Sequence, residues 1–369
     1  MTKEQIVDFL YSKGISANYN EPMSRQQIER LKEEQLENII KNIFITHNLV
    51  NIQQVKGKDL EIVDTDKYDY ILCYSFPCQD LSLAGKGKGM SDTSTRSGML
   101  WEVERILTEC NELGTLPQVL LMENVPQVHG ADNVKDFNKW QLRLEELGYK
   151  NYWQDLIATD YGIPQTRNRC FMISILGDYS YTFPKPIPLK LKLKDLLEDN
   201  VDEKYYLSDK MKQYIFSEDD KYKVNKNSLK LNRDIACSKT TREGRTRADT
   251  SDYICKKFGN KSLQETLEQN DIDDTCYIDT YNKRIDKDKS GTITTGVSFR
   301  NNTFLADNNL RIRKLIPKEC FRLMGVKDED YLNCAKNQSD SSLYHLAGDS
   351  IVVDVLCHIF EQLIKKESE

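Results

Sequence analysis

The stretch Tyr70-Ile-Leu-Cys-Tyr-Ser-Phe-Pro-Cys-Gln79 decides the fold. Its apolar, β-prone run ends abruptly at Pro77, which predicts a buried strand followed by a loop. Loops at the carboxyl ends of strands are where open α/β sheets hold their ligands, so Cys78 would present its thiol in such a loop. The alternative is that Cys78 is one more buried thiol, as most cysteines in reduced proteins are.

Two further apolar runs carry polar groups at their ends. Glu123 and Asn124 close the run Val119–Val125, and Gln165, Arg167 and Arg169 directly precede the run Cys170–Ile175. Each of these residues alone is more often structural than functional. A thiol, a carboxylic acid and two guanidinium groups, each at the edge of a predicted strand, together indicate one site.

The order of elements predicts an open α/β sheet. Strands are predicted at 68–76, 118–125, 152–158 and 170–176, with helices at 99–110 and 134–147 as crossovers between parallel strands. Residues 1–56 are predicted to be largely helical, and Ser24 is a good cap for a helix that follows it.

Length and composition limit the class of protein. A chain of 369 residues favours two domains, and the net charge of −6 is not typical of a nucleic-acid binder, although a local basic groove remains compatible with it. Ten cysteines without a Cys-x-x-Cys pair and four histidines without ligand spacing predict no metal site and a reducing cytosol. Neither a membrane span nor an apolar signal core is predicted.

The composition changes near Phe183-Pro-Lys-Pro-Ile-Pro188, and residues 187–310 are polar and charged. One interpretation is a loop-rich, partly disordered insertion. The other is a small irregular domain with recognition loops, which the short apolar-aromatic pieces favour. After this segment, a helix is predicted from Pro317 to Gly325, and a last helix over 350–366 carries an apolar stripe that should pack on the sheet.

The residues around Cys78 indicate a particular chemistry. Cys78 has no evident histidine base, which disfavours a cysteine hydrolase. A thiolate paired with a carboxylic acid suits addition to an electron-poor ring, with Glu123 supplying a proton to a ring nitrogen if its apolar setting raises its pKa. Arg167 and Arg169 could hold phosphate or hold Cys78 and Glu123 in place; the alternative is that they form surface ion pairs.

Taken in order, these sequence blocks resemble those of the cytosine-5 DNA methyltransferases, the bacterial and phage members especially. The resemblance covers about residues 50–180 and 281–369. It is carried by five blocks: Pro77-Cys-Gln79, Glu123-Asn-Val125, Gln165-x-Arg-x-Arg169, Arg313-Lys-Leu-Ile-Pro-Lys-Glu-Cys-Phe-Arg-Leu-Met-Gly325 and Ala347-Gly-Asp-Ser-Ile-Val352.

The resemblance implies a Rossmann-like S-adenosylmethionine-dependent methyltransferase sheet with a smaller, irregular target-recognition domain. Residues 1–186 and 311–369 would form the catalytic domain, and residues 187–310 the recognition domain. Cys78 would attack C6 of a flipped-out cytosine and Glu123 would pair with its N3–N4 edge. Arg167 would fix the base and the nucleophile, and Arg169 would complete the catalytic set.

The resemblance also implies binding residues for the cofactor and the DNA. S-adenosylmethionine would contact Asp59, Pro77, Leu100, Asp349 and Ser350. Double-stranded DNA would contact Gln79, Ser82, Gly85, Lys86, Gln165, Thr292 and Thr294.

The chain departs from the family pattern at its start. The Phe-x-Gly-x-Gly turn that opens such enzymes is not found before Phe76, and residues 1–56 resemble a helical stretch that some members insert later. We therefore expect an N-terminally incomplete sheet, in a truncated chain or in one part of a split enzyme whose partner chain supplies the missing block. Asp349 in place of the usual Asn is a second departure.

Three functions follow from these observations. The leading one is a bacterial or phage-encoded, cytoplasmic DNA cytosine-5 methyltransferase serving restriction-modification, with a cognate restriction endonuclease, or phage DNA protection. The second is an inactive or split-enzyme DNA-binding subunit. The third is an RNA cytosine-5 methyltransferase, which the long 187–310 segment disfavours.

Overall fold

The computed structural model describes residues 1–17, 21–76, 99–206 and 312–365, together with short strands at 276–279, 284–286 and 303–306. The first sheet contains β1 (Ile71–Ser75), β2 (Val119–Asn124), β3 (Tyr149–Ile157) and β4 (Asn168–Leu176), in the order β1-β2-β4-β3. The predicted open α/β sheet is therefore confirmed.

The directions of the strands differ from the prediction. β1 and β2 are parallel, but β4 runs antiparallel to both β2 and β3, so the expectation of parallel strands throughout is wrong. The reason is the connection 158–167, which contains only a short 3₁₀ turn at Ala158–Tyr161. A parallel crossover needs a dozen or more residues, whereas a short connection returns the chain antiparallel.

Two hydrophobic cores form on opposite faces of this sheet, because alternate residues of a strand face opposite sides. On one face, Leu120 and Met122 pack with helices α4 (Leu100–Leu113) and α5 (Val134–Glu146). On the other face, Leu121 packs with residues of the C-terminal helices. β2 is buried on both faces, as expected of a strand inside an α/β sheet.

The C-terminal helices are α6 (Pro317–Arg322), α7 (Asp328–Ala335), α8 (Asp340–Asp349) and α9 (Val353–Lys365). Val355 and Ile359 of the predicted apolar stripe are buried, and the Tyr181 hydroxyl donates to the Ile359 carbonyl at 3.2 Å. The prediction that the last helix packs back on the catalytic sheet is confirmed, with a start three residues later than expected.

The stretch Asp340–Ile364 is long and apolar enough to cross a membrane by length and composition, contrary to the sequence prediction. It consists of α8 and α9, separated by the non-helical residues 350–352. Val355 and Ile359 belong to the core that covers the sheet. The apolar character of this stretch is thus accounted for by packing within the protein.

Three N-terminal helices form a small unit with its own core. They are α1 (Lys3–Lys13), α2 (Arg25–Glu29) and α3 (Glu33–Ile45), which bury Leu10, Ile28 and Leu36 among themselves. The Ser24 hydroxyl accepts a hydrogen bond from the Gln27 backbone N–H at 3.3 Å, so the predicted cap is confirmed.

A second sheet forms from residues of the polar segment and just beyond it. Strands β5 (Cys276–Asp279), β6 (Arg284–Asp286), β7 (Thr303–Ala306) and β8 (Ile312–Lys314) pair antiparallel in the order β6-β5-β7-β8. This pairing favours a folded domain over a disordered insertion. The role of residues 187–310 in target recognition stays a prediction.

Candidate active site

The carboxyl ends of β1 and β2 meet at one edge of the first sheet. Ser75 at the end of β1 lies directly opposite Glu123 near the end of β2, and the Ser75 hydroxyl lies 3.3 Å from Glu123 Oε2 as a hydrogen-bond donor. Glu123 is buried. This is the edge at which parallel strands of α/β sheets place ligands, and the catalytic role of Glu123 stays a prediction.

Glu123 forms an ion pair with Arg169 from the neighbouring strand. Arg169 Nε lies 3.0 Å from Glu123 Oε1, and the two side chains are 16% and 10% exposed. The antiparallel register pairs Glu123 with Phe171, which puts Arg169 one diagonal position away on the same face of the sheet. Either charge alone would be costly to bury, so the two side chains stay paired and their geometry is fixed.

Asn124 fixes the end of β1. Its Nδ2 donates to the Phe76 carbonyl at 3.0 Å, while its Oδ1 accepts the Val125 backbone N–H at 2.8 Å. Phe76 is the last described residue before the Pro-Cys-Gln block. The Asn of the Glu-Asn-Val block therefore holds the chain just where it leaves the sheet toward Cys78.

Several predicted site residues lie outside the described residues. They are Pro77, Cys78, Gln79, Ser82, Gly85, Lys86, Thr292 and Thr294.

Arg167 connects the start of β4 to the end of α8. It is buried, and its Nη2 donates to the carbonyl oxygens of Gly348 at 3.1 Å and Ser350 at 2.9 Å. Arg167 is thus not part of a surface ion pair. It brings the Gly-Asp-Ser block, from near the end of the chain, to the sheet edge that carries Glu123 and Arg169.

Gln165 points into the protein. It is fully buried, and its Nε2 donates to the Leu323 carbonyl at 2.7 Å and lies 3.5 Å from Met324 Sδ. In this conformation its side chain supports the turn after α6 and is not available to DNA, in contrast to the contact that the resemblance implies.

The candidate cofactor residues occupy two regions. Asp59 lies in a 3₁₀ turn (Gly57–Leu60), where its Oδ2 accepts the Lys56 backbone N–H at 2.8 Å. This turn packs closely against α4. A side chain at Gly57 would not fit there, because its Cβ would lie 2.8 Å from the Cys110 backbone nitrogen. Leu100 is fully buried at the start of the same helix and so contributes to the core.

Asp349 and Ser350 form the second region, beside Arg167. Desolvation raises the pKa of the Asp349 carboxyl, and its neighbours His345 and Arg167 oppose this rise. The described residues therefore offer polar groups for parts of S-adenosylmethionine. One end of S-adenosylmethionine would also need a glycine-rich turn that lets the protein backbone come close to it. The residues that the structure describes around β1 include no such turn.

Ser75 and the buried Glu319 make contacts to which the sequence analysis assigned no role. Glu319 accepts backbone N–H groups from Ile316 at 2.8 Å and Glu198 at 3.0 Å, so it joins α6 to the segment before the second sheet. The signal for Glu319 was present, because Pro at the first position and Glu at the third position are typical of a helix start.

Comparison with known proteins shows the family of this chain. The family model described as C-5 cytosine-specific DNA methylase matches residues 13–365. The type II methyltransferase M2.ScrFI of Lactococcus lactis subsp. cremoris is 32% identical over 369 residues, which span all of this chain and 84% of that protein. The orphan methyltransferase M.SssI of Spiroplasma monobiae is 38% identical over 249 residues, 66% of this chain and 61% of that protein.

Solved structures share the fold at low sequence identity. The Dnmt2 methyltransferase of S. pombe superposes with a TM-score of 0.54 at 17% identity, over 86% of this chain and 84% of that one. The Entamoeba histolytica methyltransferase EhMeth gives a TM-score of 0.53 at 15% identity, over 86% and 83%.

Proposed function

The chain belongs to the family of C-5 cytosine-specific DNA methylases, and from that premise we propose how its residues divide the work of methylating cytosine in DNA. The protein is a DNA (cytosine-5) methyltransferase. The observation that carries the assignment of roles is the buried Glu123–Arg169 pair beside the end of β1. The last residue of β1, Ser75, is three residues from Cys78 in sequence.

Cys78 is the nucleophile in this proposal. Its sulfur forms a bond to C6 of the cytosine, and the ring electrons move toward N3, where Glu123 faces the N3–N4 edge as hydrogen-bond partner and proton source. C5 thereby becomes the carbon that accepts a methyl group. Loss of the C5 proton to water, cleavage of the sulfur–C6 bond and return of the N3 proton to Glu123 then restore the aromatic ring and free Cys78 as a thiolate.

The arginines position the groups that react. Arg169 fixes the Glu123 carboxylate, and Arg167 holds the 348–350 segment at the start of β4. The target base must leave the duplex, because its ring carbons are not accessible within the stack. S-adenosylmethionine supplies the methyl group when bound, and Asp59, Asp349 and Ser350 are the described residues that would hold it.

The test uses DNA with 5-fluorocytosine at the target position. Fluorine at C5 cannot leave as a proton does, so the sulfur–C6 adduct should persist and appear as a covalent protein–DNA complex. We expect trapping by the wild type, in an assembly that contains cofactor, and none by Cys78→Ala. Trapping that survives in Cys78→Ala would show that another residue is the nucleophile.

We further propose that the substrate is duplex DNA and that the biological role is restriction-modification or phage DNA protection. Support comes from the names of the relatives, which are type II methyltransferases. The RNA alternative has less support. Methyl transfer measured side by side on duplex DNA and on transfer RNA distinguishes the two substrates.

We also propose that the open edge of β1 pairs with a further strand, equivalent to the family's first strand. β1 pairs with β2, and within the described residues its other edge has no strand. Its apolar sequence nevertheless leaves Ile71 45% exposed and Cys73 exposed, in contrast to β2, which is buried on both faces. An apolar strand with an open edge is a template for pairing with another strand.

Cofactor binding measured by calorimetry tests this pairing. We expect the 369-residue chain alone to bind S-adenosylmethionine poorly, because close backbone approach to such a ligand needs a glycine-rich turn. Adding a fragment with the family's first strand and Phe-x-Gly-x-Gly turn, fused or as a separate chain, should restore binding. Micromolar affinity of the chain alone would contradict the proposal, and the Cys78 trapping result would still stand on its own.

A further inference from the structure

Three potential metal ligands from three different elements lie together beside the strand that carries Glu123. They are His129, Asp155 and Cys170, whose ligand atoms all lie within 4.8 Å of one another. His129 Nε2 is 2.9 Å and 3.1 Å from the two carboxylate oxygens of Asp155. This group is separate from the candidate active site, which uses none of the three.

The fold brings these residues together from distant positions in the sequence. Asp155 on β3 is paired directly with Cys170 on β4, and Cys170 is paired in turn with Asn124 on β2. His129 ends the 3₁₀ turn Pro126–His129 that follows β2. Cys170 packs with the α4 and α5 core, whereas its neighbour Arg169 points to the opposite face.

The surroundings hold the imidazole in place. The His129 ring lies 4.6 Å from the ring of Trp153 and 6.3 Å from that of Phe137. The side chains of His129 and Asp155 are 23% and 31% exposed, and Cys170 is fully buried. The cluster is therefore closed on its sulfur side and open to solvent on its nitrogen and oxygen side.

We propose that His129, Asp155 and Cys170 form a binding site for one divalent cation of the zinc type. One imidazole nitrogen, one carboxylate oxygen and one thiolate are ligands that zinc accepts in tetrahedral sites. Water from the open side would complete the fourth position. A harder cation such as Mg²⁺ is disfavoured, because it prefers oxygen ligands throughout.

Binding converts the thiol into a thiolate. A free cysteine thiol titrates near pH 8.5, so at neutral pH the metal-free protein carries the S–H form. On binding, the S–H bond breaks, a sulfur–metal bond forms and the proton leaves to the buffer. Metal uptake at this site therefore releases at least one proton for each ion bound.

The site would tie the loop after β2 to β3 and β4. The metal would link His129, five residues past Asn124, to the two strands that continue the sheet on that side. We expect bound Zn²⁺ to raise the melting temperature of the protein, because a ligand that binds only the folded state stabilises it. The sequence predicted no metal site because the three ligands share no short motif.

The experiment measures Zn²⁺ and Co²⁺ binding to the full chain. We expect one ion per chain, proton release in calorimetry across buffers of different ionisation enthalpy, and a thiolate-to-Co²⁺ charge-transfer band. Affinity should fall by about 100-fold or more in His129→Ala, Asp155→Asn and Cys170→Ser, since each removes one of three ligands.

Two control variants separate this cluster from the protein's other thiols. Cys110→Ser removes a buried thiol elsewhere in the α4 and α5 core, and Cys78→Ala removes the proposed nucleophile. Both should bind the ion as the wild type does, with circular dichroism confirming the fold of each variant. If the wild type binds no ion, or if the three cluster variants bind as it does, the cluster is only a histidine–aspartate hydrogen bond over a buried thiol and the proposal fails.

Discussion

Glu123 is held by two contacts of unequal strength. Arg169 provides a buried ion pair at 3.0 Å, whereas Ser75 provides a hydrogen bond at the long distance of 3.3 Å. The ion pair therefore fixes the position of the carboxylate, and the hydroxyl only adjusts its rotation. This difference allows the acid function of Glu123 to be tested separately from its place in the fold.

Glu123→Gln should lower the rate of methyl transfer and of covalent trapping by about 10²–10⁴-fold, because an amide cannot supply the proton to N3. The replacement keeps the shape of the side chain, so DNA binding should change little. Ser75→Ala is the matched control, since it removes only the weaker contact, and its rate should stay within about 10-fold of the wild type. Trapping by Glu123→Gln at the rate of the wild type would contradict the assigned role.

The sequence indicated the neighbours Glu123 and Arg169 but not the partners of Arg167 and Gln165. The first two follow from strand ends that meet at one sheet edge. Arg167 bonds to Gly348 and Ser350, and Gln165 to Leu323, through contacts that span more than 150 residues of chain. Such contacts depend on how the C-terminal helices pack, and local sequence patterns carry no information about that packing.

At the scale of elements, a group of four charged side chains joins α6 and α7 to the segment that precedes the second sheet. Arg322 Nη2 lies 2.6 Å from Asp328 and 2.7 Å from Glu198, and Lys318 Nζ lies 2.9 Å from Glu198 and 3.1 Å from Asp328. The Arg322 guanidinium, with help from Lys318, lowers the pKa of Asp328 to about 2.

This lowered pKa predicts an acid-dependent loss of stability. The unfolded carboxyl titrates near pH 3.9, so its stabilising contribution is complete above about pH 4 and is lost as the pH falls to about 2. The shift corresponds to about 2.5 kcal/mol, which we reduce to about 1 kcal/mol because the Asp328 side chain is 43% exposed.

Urea unfolding of the wild type and of Asp328→Asn between pH 5 and pH 2 measures this contribution. The wild type should be more stable by about 1 kcal/mol at pH 5, and the difference should vanish near pH 2. Asp178→Asn is the control, because Asp178 also pairs with a lysine but is 99% exposed, and it should leave the unfolding free energy unchanged. A constant difference at all pH values would show that the effect of Asp328→Asn is not electrostatic.

The existence of elements was easier to predict than their direction. The apolar runs located β1, β2 and β4, because buried strands leave a continuous apolar signal. The antiparallel direction of β4 was missed, since direction depends on the length of the connection and on pairing with β2. The second sheet was not predicted strand by strand, because its short strands lie in a polar segment without clear alternation.

At the scale of the whole molecule, the polar segment is anchored at both of its ends. The Ile187 backbone N–H donates to the Asp160 carbonyl at 2.9 Å, and the Tyr344 hydroxyl donates to the Leu315 carbonyl at 2.6 Å. Residues 187–206 also pack on the catalytic part. Leu193 is fully buried, and the Tyr205 hydroxyl donates to Asp340 at 2.9 Å.

These contacts refine the predicted boundary of the recognition domain. By sequence composition the segment begins at residue 187, but residues 187–206 contact the sheet connection and the C-terminal helices. At the other end, β8 pairs with β7 and so extends the second sheet past residue 310. We therefore expect the exchangeable recognition unit to be 207–314, with residues 187–206 belonging structurally to the catalytic part.

Exchange of this unit is the test at the scale of the whole molecule. Replacing 207–314 with the corresponding segment of a related enzyme should move methylation to the donor's site, because the described residues of the candidate active site, Glu123, Arg167 and Arg169, all lie outside the replaced segment. A second chimera cut at 187 should express poorly or melt at lower temperature, since it also replaces Leu193, Glu198 and Tyr205. Each chimera is tested in an assembly that methylates DNA, and bisulfite sequencing of the plasmid DNA then identifies the methylated site. Methylation of the original sequence by the first chimera would place DNA readout in the catalytic part, and equal stability of the two chimeras would restore the boundary at 187.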